Sequence, residues 1–487
     1  MSVDNKLYPF GFIFSEEPMS VIPEYYSNRI IINKYHYYFD NVMDVNLYES
    51  DNKFILIHGD FVHVGESTEM NKEELIRHLF STYYSDYNEF LDTLDFIGGR
   101  FLIIVGDSSN VTVFPDATNS RSTYYTTEEN VLASHVFLIN DQFKYDRAKI
   151  NLRFCNTLLN NARENIRNTV ANYSFSLFDK KHTRFFPREN NKYTGLTEER
   201  KFELIERFWK KQLDFYFKTK DNMVMSLTGG GDSRFSLALM KEHINEVEFF
   251  TYATTSGLDN STYASRRLSK DDYIVKQIIQ DLNLNHKFFY FDEDDKKLSD
   301  EENRMLFKNT IGRHSAFMIP YIKKNYSNLP LNHIRANLLE IGQTFYFLNE
   351  YKENHIDSSR TAFKNVHRKY LNEDEDDSIM DKMFDDYVEE MNYGENTFDY
   401  HILDLHYWEI KMGRWHTELI NTHDSVFNTI SPFNHRAMID VTLSFPYEKR
   451  RDRYFQLEIT NRNYPVLNFY GINEIENLYE QNRKIYE

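Results

Sequence analysis

The stretch MVMSLTGGGDSRFSLALM, residues 223–240, decides how the C-terminal part of the chain folds. An apolar run at 223–227 is typical of a buried strand, and three glycines follow it after one threonine. Apolar side chains then recur at helical spacing from about Ser233 to residue 243. We therefore predict a buried strand, a tight glycine loop and a helix.

This loop has the chemistry of an anion site. Glycines lack a Cβ atom, so a ligand can approach the backbone at 229–231 closely, and we expect unusual backbone angles there. The free N–H groups and the positive dipole end of the next helix attract phosphate. Thr228 and Ser233 add hydroxyl donors, whereas Asp232 places a carboxylate beside phosphate, which requires a cation such as Mg²⁺ between them.

The residues around the loop predict a parallel α/β sheet. A long amphipathic helix is predicted at 198–217. Strand-like runs at 247–254 and 286–292 are separated by a predicted helix at 271–284, whose apolar residues form one stripe. Strands that alternate with helices at this spacing are typical of parallel sheets. The remainder, 300–487, is predicted to be mostly helical.

The first 190 residues predict a sheet-rich α+β region instead. Short runs rich in Val, Ile, Phe, Tyr and Thr alternate there with turns. The predicted strands are 54–64, 100–107, 111–117, 122–127 and 130–139. One helix is predicted at 71–84 from its helical spacing.

The composition limits the function. The 487 residues suffice for two or three domains, and 41% of them are hydrophobic, as in a folded protein. The net charge of −18 disfavours nucleic acid as a partner. The single cysteine, Cys155, excludes an internal disulfide, and we expect a buried, inert thiol. Without a long apolar run or a signal-peptide pattern, we expect a cytoplasmic protein with no membrane partner.

The loop sequence TGGGDS, residues 228–233, resembles the S-G-G-x-D-S loop of the PP-loop ATP-pyrophosphatase superfamily. Within that superfamily the chain resembles the asparagine synthetase family over nearly its whole length. Segments 98–107, 114–125 and 133–135 are similar to that family's class II glutamine amidotransferase domain. Four more segments are similar, in the correct order, to its linker and synthetase domain: 183–190, 269–286, 334–346 and 431–440.

The resemblance implies two domains. Residues 1–195 are expected to form a degenerate glutamine-amidotransferase-like domain, with an Ntn-type αββα sandwich-like fold. Residues 196–487 are expected to form a PP-loop domain, adenine nucleotide α-hydrolase-like, with a parallel sheet and a helical C-terminal part. The implied cofactors are ATP and Mg²⁺, with Asp232 and Glu340 as catalytic residues and metal ligands. The implied ATP-binding residues are Leu227, Thr228, Gly229, Gly230, Gly231, Asp232, Ser233 and Tyr252.

The synthetase part departs from the family pattern in two places. The family's acidic pair becomes Leu339-Glu340, which makes Glu340 the second candidate for Mg²⁺, with Asp271 and Asp272, expected at a helix start, in reserve. The family's C-terminal lysine is missing near residues 465–473. A basic cluster upstream could replace that lysine, although we interpret it as a solvated cluster: Lys449, Arg450, Arg451 and Arg453.

We therefore predict an ATP-dependent carbon–nitrogen ligase that adenylates a small-molecule or peptide carboxylate and lacks its own glutaminase. Ring closure, as in β-lactam synthetases and lasso-peptide macrolactam synthetases, is the preferred class. The alternatives are an asparagine synthase or a sugar-acid amidating enzyme that uses ammonia, and a non-catalytic nucleotide-binding scaffold. Assembly of two copies as a homodimer is left open.

Purified protein is expected to release no glutamate from glutamine. Active glutaminase domains of the family begin with a cysteine whose α-amine assists the thiol, whereas Ser2 follows Met1 here. A coupled glutamate assay checks this expectation. Glutaminase activity that survives Cys155→Ala and disappears in Ser2→Ala would contradict it.

Overall fold

The computed structural model describes residues 7–65, 70–145, 165–255, 257, 263–292, 297–310, 316–346, 354–367 and 377–486. Ser2 and Cys155 lie outside these ranges, so the expectations for them stay predictions. Among the helices within these ranges, none is both long enough and apolar enough to cross a membrane.

The described N-terminal half contains two antiparallel sheets. The strands are Phe12–Ser15 (β1), Asn28–Ile32 (β2), Tyr35–Phe39 (β3), Val45–Ser50 (β4), Lys53–His63 (β5), Ile97–Asp107 (β6), Val111–Pro115 (β7), Tyr124–Thr126 (β8), Val131–Ala133 (β9), Ile166–Asn168 (β10), Tyr173–Ser176 (β11) and Lys181–Arg184 (β12). The sheet orders are β10-β8-β9-β1-β3-β2 and β12-β11-β7-β6-β5-β4. The helices are Lys72–Ser85 (α1), Tyr87–Asp95 (α2) and Val136–Phe143 (α3).

These sheets stack face to face, with helices on both outer sides. Phe14 of β1 and Leu56 of β5 meet in the apolar layer between the sheets. The neighbouring residue Ile55 points the other way and packs with α1 and α2, whereas α3 covers the outer face of the first sheet. Because β5 and β6 are buried on both faces, their sequences are almost continuously apolar. The layers therefore run helix, sheet, sheet, helix.

The described C-terminal half is built on a parallel sheet. Its strands are Met223–Ser226 (β13), Val247–Ala253 (β14), His286–Tyr290 (β15), Leu331–Ile334 (β16) and Phe427–Ile430 (β17), in the order β15-β14-β13-β16-β17. All neighbouring pairs are parallel, as predicted. The first helices are Glu198–Thr219 (α4), Gly231–Leu239 (α5), Tyr263–Leu282 (α6), Asp300–Asn309 (α7) and Ile319–Asn325 (α8).

Most of the remaining described residues are helical, which confirms the prediction for 300–487. The helices are Ile356–His367 (α9), Ser378–Met391 (α10), Ile402–His406 (α11), Thr417–His423 (α12), Arg436–Leu443 (α13), Tyr447–Arg451 (α14), Tyr454–Asn463 (α15) and Leu478–Tyr486 (α16). A wider, π-helical stretch, Tyr407–His416, joins α11 to α12.

The two halves share one interior. Arg100 of β6 forms two hydrogen bonds, of 2.6 and 2.7 Å, with the buried carboxylate of Asp424. The Trp408 indole donates to the carbonyl of Ala117 at 2.7 Å. A single apolar core also runs from the outer side of β6 to α4 and α5. The domain boundary between residues 195 and 196 stays a prediction, because this core crosses it.

Three elements differ from the sequence prediction. The run 130–139 is a strand only at Val131–Ala133, and its second part is α3, because four consecutive apolar residues suit a buried helix as well as a buried strand. The helix predicted to reach residue 243 ends at Leu239. Helix α6 begins at Tyr263, eight residues before the predicted start, so the predicted boundary at 271 falls inside a helix.

A buried carboxyl in α13 is expected to make stability depend on pH. Asp440 accepts hydrogen bonds from Asn191, at 2.7 Å, and from the Tyr400 hydroxyl, and burial raises the pKa of Asp440 to about 7. The unfolded chain loses this proton near its ordinary pKa of about 3.9, so the folded state loses stability as pH rises from about 4 to about 7.

Asp440→Asn keeps the acceptor oxygen and removes the titration. The melting temperature of Asp440→Asn minus that of the wild type is expected to increase by a few degrees from pH 5 to pH 8. Differential scanning fluorimetry at each pH measures this difference. The matched substitution Asp221→Asn, at an exposed position, should leave the pH profile of the wild type unchanged. A constant difference between Asp440→Asn and the wild type would show that Asp440 is ionised throughout.

Candidate functional site

A cavity of about 550 Å³ opens at the carboxyl edge of the parallel sheet. Ser226 and Thr228, at the end of β13, form one wall, and Arg335 and Asn337, after β16, form another. From β13 the chain runs outward through β14 and β15, and it then returns to β16 on the opposite side of β13. Such a reversal of strand order is where open parallel sheets bind ligands.

The glycine loop and the start of α5 lie on this cavity. Helix α5 begins at Gly231, two residues before the predicted start at about Ser233, and its cap residue Gly230 offers no side chain to the free N–H groups. Both glycines line the cavity together with Asp232 and Ser233. An uncapped helix start facing a cavity is an anion site, because its N–H groups need an acceptor.

The two loop hydroxyls bond each other rather than standing free. Thr228 Oγ1 and Ser233 Oγ are 3.1 Å apart and share a hydrogen bond. The N–H group of Thr228 also donates to Ser233 Oγ. The N–H group of Gly230 donates to Thr228 Oγ1 at 3.2 Å. These hydroxyls therefore shape the loop, although both residues line the cavity as predicted.

The expectation of unusual backbone angles in the loop is wrong. Gly230 has φ −84° and ψ 164°, which any residue can adopt. A Cβ atom at Gly229 would lie 2.7 Å from Ile274 Cδ1 of α6 and 3.1 Å from Asp271 Oδ1, so these side chains would have to shift to make room for it. Leu227 and Gly229 are buried and do not line the cavity, so they support the loop from behind. Tyr252, at the end of β14, does line it.

The reserve metal ligands lie elsewhere. Asp271 Oδ1 accepts a hydrogen bond of 2.7 Å from the N–H group of Gly229, so this carboxylate fixes the back of the loop. Asp272 bonds Tyr290 and Lys276. Both aspartates lie within α6 rather than at a helix start, and neither lines the cavity.

Asp232 and Glu340 face the same cavity. Glu340 lies in a short turn, Leu339–Gly342, that follows β16, and Leu338 before it has φ 73°, a strained value for a residue with a side chain. Burial raises the pKa of Glu340 to about 7, and the charge of Asp232 adds to the rise. Burial also raises the pKa of Asp232, although Gln456 donates to its Oδ1 at 2.7 Å.

This carboxylate pair suits a hard cation. Glu340 Oε2 is buried and has no hydrogen-bond partner among the described residues. Two interacting carboxylates in one cavity favour a proton or a cation between them. The described residues contain no cluster of three or more potential metal-binding side chains. Mg²⁺ is commonly held by one or two carboxylates together with substrate phosphates, so the donor set fits that ion.

The cavity holds more positive than negative charge. The cationic residues that line it are Arg267, Arg335, Arg451 and Arg453, against two carboxylates. Arg451 also forms an ion pair with Asp452, which does not line the cavity. The positive charges of Arg267 and Arg453 act on Asp232. This finding revises the interpretation of the upstream basic cluster, because two of its members line the cavity. The other two form ion pairs away from it: Lys449 with Glu198, and Arg450 with Asp404.

Sequence reasoning missed several of the residues that build the cavity, among them Arg267, Arg335 and Asn473. The position of Arg335 directly after a strand was the one available signal, because residues after parallel strands meet at the ligand-binding edge. Arg267 lies in the part of α6 that precedes the predicted start of that helix, so its position at the cavity was not foreseen. Asn473 is placed by long-range contacts alone.

A buried arginine connects the loop to the C-terminal segment. Arg234 of α5 donates from Nη1 to the carbonyl of Tyr470 at 2.7 Å and from Nη2 to that of Gly229 at 3.0 Å. It also donates to the carbonyls of Leu467 and Gly471. Burial lowers the pKa of Arg234 to about 10, so the group remains charged at neutral pH.

Comparisons with known proteins place the chain in no family. No family model matches it, and no curated protein does. Among solved structures, NMN synthetase from Francisella tularensis is 12% identical, over 41% of this chain and 94% of that chain, with a TM-score of 0.19. NH3-dependent NAD synthetase from Campylobacter jejuni is 14% identical, over 42% and 97%, with a TM-score of 0.19. Glutamine phosphoribosylpyrophosphate amidotransferase from B. subtilis is 12% identical, over 55% and 75%, with a TM-score of 0.21. TM-scores this low support no conclusion about this chain.

Two glycine substitutions are expected to separate folding from binding. Gly229→Ala crowds Ile274 and should lower the free energy of unfolding by about 1–3 kcal/mol. Gly230→Val fits the observed backbone but puts two methyl groups at the cavity. It should weaken binding of α,β-methylene-ATP by about tenfold or more, with little change in melting temperature.

Calorimetric titration and thermal melting measure the two effects. Gly195→Ala is the control, because a Cβ atom there meets nothing within 4 Å. Binding of the analogue by Gly230→Val with wild-type affinity would show that the glycine loop does not contact the nucleotide.

Proposed function

We propose that this protein is an ATP-dependent amide-forming ligase that adenylates a carboxylate. The observation that carries the proposal is the cavity at the strand-order reversal. There the uncapped start of α5 and the carboxylates of Asp232 and Glu340 line one space. Helix N–H groups suit phosphate oxygens, and a carboxylate pair suits the cation that accompanies a triphosphate.

Size and charge support a nucleotide. The volume of about 550 Å³ falls within the range usual for small-molecule and cofactor sites, roughly 300–1,000 Å³. The chain carries a net charge of −18, whereas arginines outnumber carboxylates in this cavity. A polyanion such as ATP is therefore attracted to this cavity despite the net negative charge of the protein.

Asp232 and Glu340 would hold Mg²⁺. The bound ion would neutralise part of the charge that develops on the phosphates. Gln456, which donates to Asp232, would orient that carboxylate. Glu340 is held by the turn after β16, opposite the glycine loop.

The proposed reaction has two steps. An oxygen of the substrate carboxylate attacks the α-phosphorus of ATP, and the bond from that phosphorus to the bridging oxygen breaks, which releases pyrophosphate and leaves an acyl-adenylate. An amine then attacks the acyl carbon, and AMP leaves as the amine loses a proton. The N–H groups at the start of α5, with Arg267 and Arg453, would stabilise the departing pyrophosphate.

The amine is proposed to come from the substrate itself or from free ammonia. The one cysteine of the sequence is Cys155, whereas glutaminase domains of the resembling family use a cysteine as the nucleophile at their start. Intramolecular attack closes a ring in a natural product or peptide. Attack by ammonia corresponds to an asparagine synthase or to a sugar-acid amidating enzyme.

Isotope exchange tests the proposal. Labelled pyrophosphate should enter ATP in the presence of Mg²⁺ and a suitable carboxylic acid, and turnover should yield AMP rather than ADP. Asp232→Asn and Glu340→Gln should each lower exchange by about 10²-fold or more, with a smaller loss of nucleotide binding.

Asp272→Asn is the control for a nearby carboxylate outside the cavity, and it should exchange as the wild type does. ADP and phosphate as products would rule out adenylation. Tight binding of ATP with no exchange for any acid would favour the non-catalytic scaffold.

A further inference from the structure

A second cavity, of about 470 Å³, lies where the two halves of the chain meet. His63, which ends β5, and Phe96, which follows α2, belong to the first half. The other walls are the connecting segment at 192–196 and one face of α4. This cavity shares no described lining residue with the cavity at the sheet edge. Its volume falls within the range of small-molecule sites, roughly 300–1,000 Å³, and such sites are frequent between domains.

The wall of the second cavity is built around the ring of Phe96. The ring centres of Phe208 and His63 lie 6.0 and 6.4 Å from that of Phe96. Lys192 Nζ lies 5.1 Å from the same ring centre. Phe96 is half-buried and Leu196 is 37% exposed, so water reaches this apolar wall. Aromatic surface that stays accessible inside a cavity is typical of a binding site.

Helix α4 contributes cations on either side of an apolar residue. Arg200, Leu204 and Arg207 are spaced i, i+4, i+7 and therefore share one face of the helix. The guanidinium carbon of Arg207 lies 5.2 Å from the ring centre of Phe208. One turn further on, Lys211 donates to the carbonyl of Gly65 at 3.2 Å, which ties this face of α4 to the first half.

The charge of the second cavity is positive. Among the described residues, its lining has no carboxylate but has these basic residues: His63, Lys192, Arg200 and Arg207. The ion-pair partner of Arg200, Glu203, is exposed and lies outside the lining. Lys192 forms no hydrogen bond or ion pair with any described residue, and its ammonium group instead lies over the rings of Phe96 and Tyr193. On a chain with a net charge of −18, this concentration of positive charge favours an anion.

We propose that the second cavity binds a small molecule that has an apolar, ring-sized body and one anionic head, either a carboxylate or a phosphate. The body packs against Phe96, Leu204 and Phe208, and the head binds Lys192 and Arg207. Both kinds of head form charge-assisted hydrogen bonds with such cations. Because its walls come from both halves of the chain, the bound molecule contacts both of them. This site is independent of the proposed ligase reaction.

Calorimetric titration of matched probes into the wild-type protein tests the proposal. The two anions are 2-naphthoate and 2-naphthyl phosphate. The controls are 2-naphthalenemethanol, which has the body without the charge, and acetate, which has the charge without the body. At least one naphthyl anion should bind about tenfold or more tightly than both controls, and the comparison of the two anions distinguishes carboxylate from phosphate. Equal affinity for the alcohol, or no saturable binding of either anion, overturns the proposal.

Substitutions of the two cations locate the bound anion. Lys192→Gln, at an exposed position, and Arg207→Gln should each weaken binding of the preferred anion several-fold, because each removes a charge that meets the head. Lys210→Gln is the matched control, since Lys210 is exposed on α4 and does not line the second cavity. Wild-type affinity of both Lys192→Gln and Arg207→Gln would place the anion elsewhere and overturn the proposal.

Asp232→Asn separates the two cavities. Asp232 lines the cavity at the sheet edge and not the second one, so this variant should bind the preferred anion as the wild type does. Tighter binding by Asp232→Asn, which removes a negative charge beside the glycine loop, would place the anion there and overturn the proposal.

Discussion

The Arg234 guanidinium joins the glycine loop and the start of α5 to the C-terminal segment, which lies far away in sequence. It binds the carbonyl of Gly229 in the loop and the carbonyls of Tyr470 and Gly471 near the C-terminus, while its own backbone belongs to α5. Asn473 then donates from its backbone N–H group to the same Gly229 carbonyl at 2.8 Å and lines the cavity. Carbonyl oxygens replace the water that the buried cation has lost, so the charge is tolerated without a carboxylate.

This arrangement keeps carboxylates scarce where phosphate would bind. Arg234 donates its hydrogen bonds to peptide carbonyl oxygens. Asp271 accepts a hydrogen bond from the N–H group of Gly229 at the back of the loop, outside the cavity. The negative charges that remain in the cavity are those of Asp232 and Glu340, which face a cation rather than a phosphate in the proposed complex. An acidic protein can in this way present a positive site, because the local arrangement of charges, not their sum, sets the potential that a ligand meets.

The elements that frame the site were predictable from local patterns. The strand before the glycines, the helix after them and the alternation of strands and helices to residue 292 are set by hydrophobic periodicity over a few residues, and the structure has them. Glu340 was singled out because segment 334–346 resembles a segment of the asparagine synthetase family, and it lines the cavity. What Asp232 and Glu340 bind stays a prediction.

The rest of the cavity depends on contacts that no local pattern records. Arg335, which follows β16, lines the cavity. Gln456 of α15, far away in sequence, donates to Asp232 on the cavity wall. Arg453 is brought to it by a left-handed backbone angle, φ 57°, which a sequence pattern does not reveal for an arginine. The run that became α3 was ambiguous for a different reason, since full burial removes the alternation that distinguishes a strand from a helix.

The apolar core that runs from β6 to α4 and α5 makes the first half of the chain a structural partner of the second. If residues 1–195 were removed, the faces of α4 and α13 that now pack against that half would meet water, and Asp424 would lose Arg100. The first half therefore cannot be removed without exposing this interior to water, because it completes the hydrophobic core. Substitutions at exposed positions of the first half are therefore tolerated far more readily than substitutions that disturb its packing.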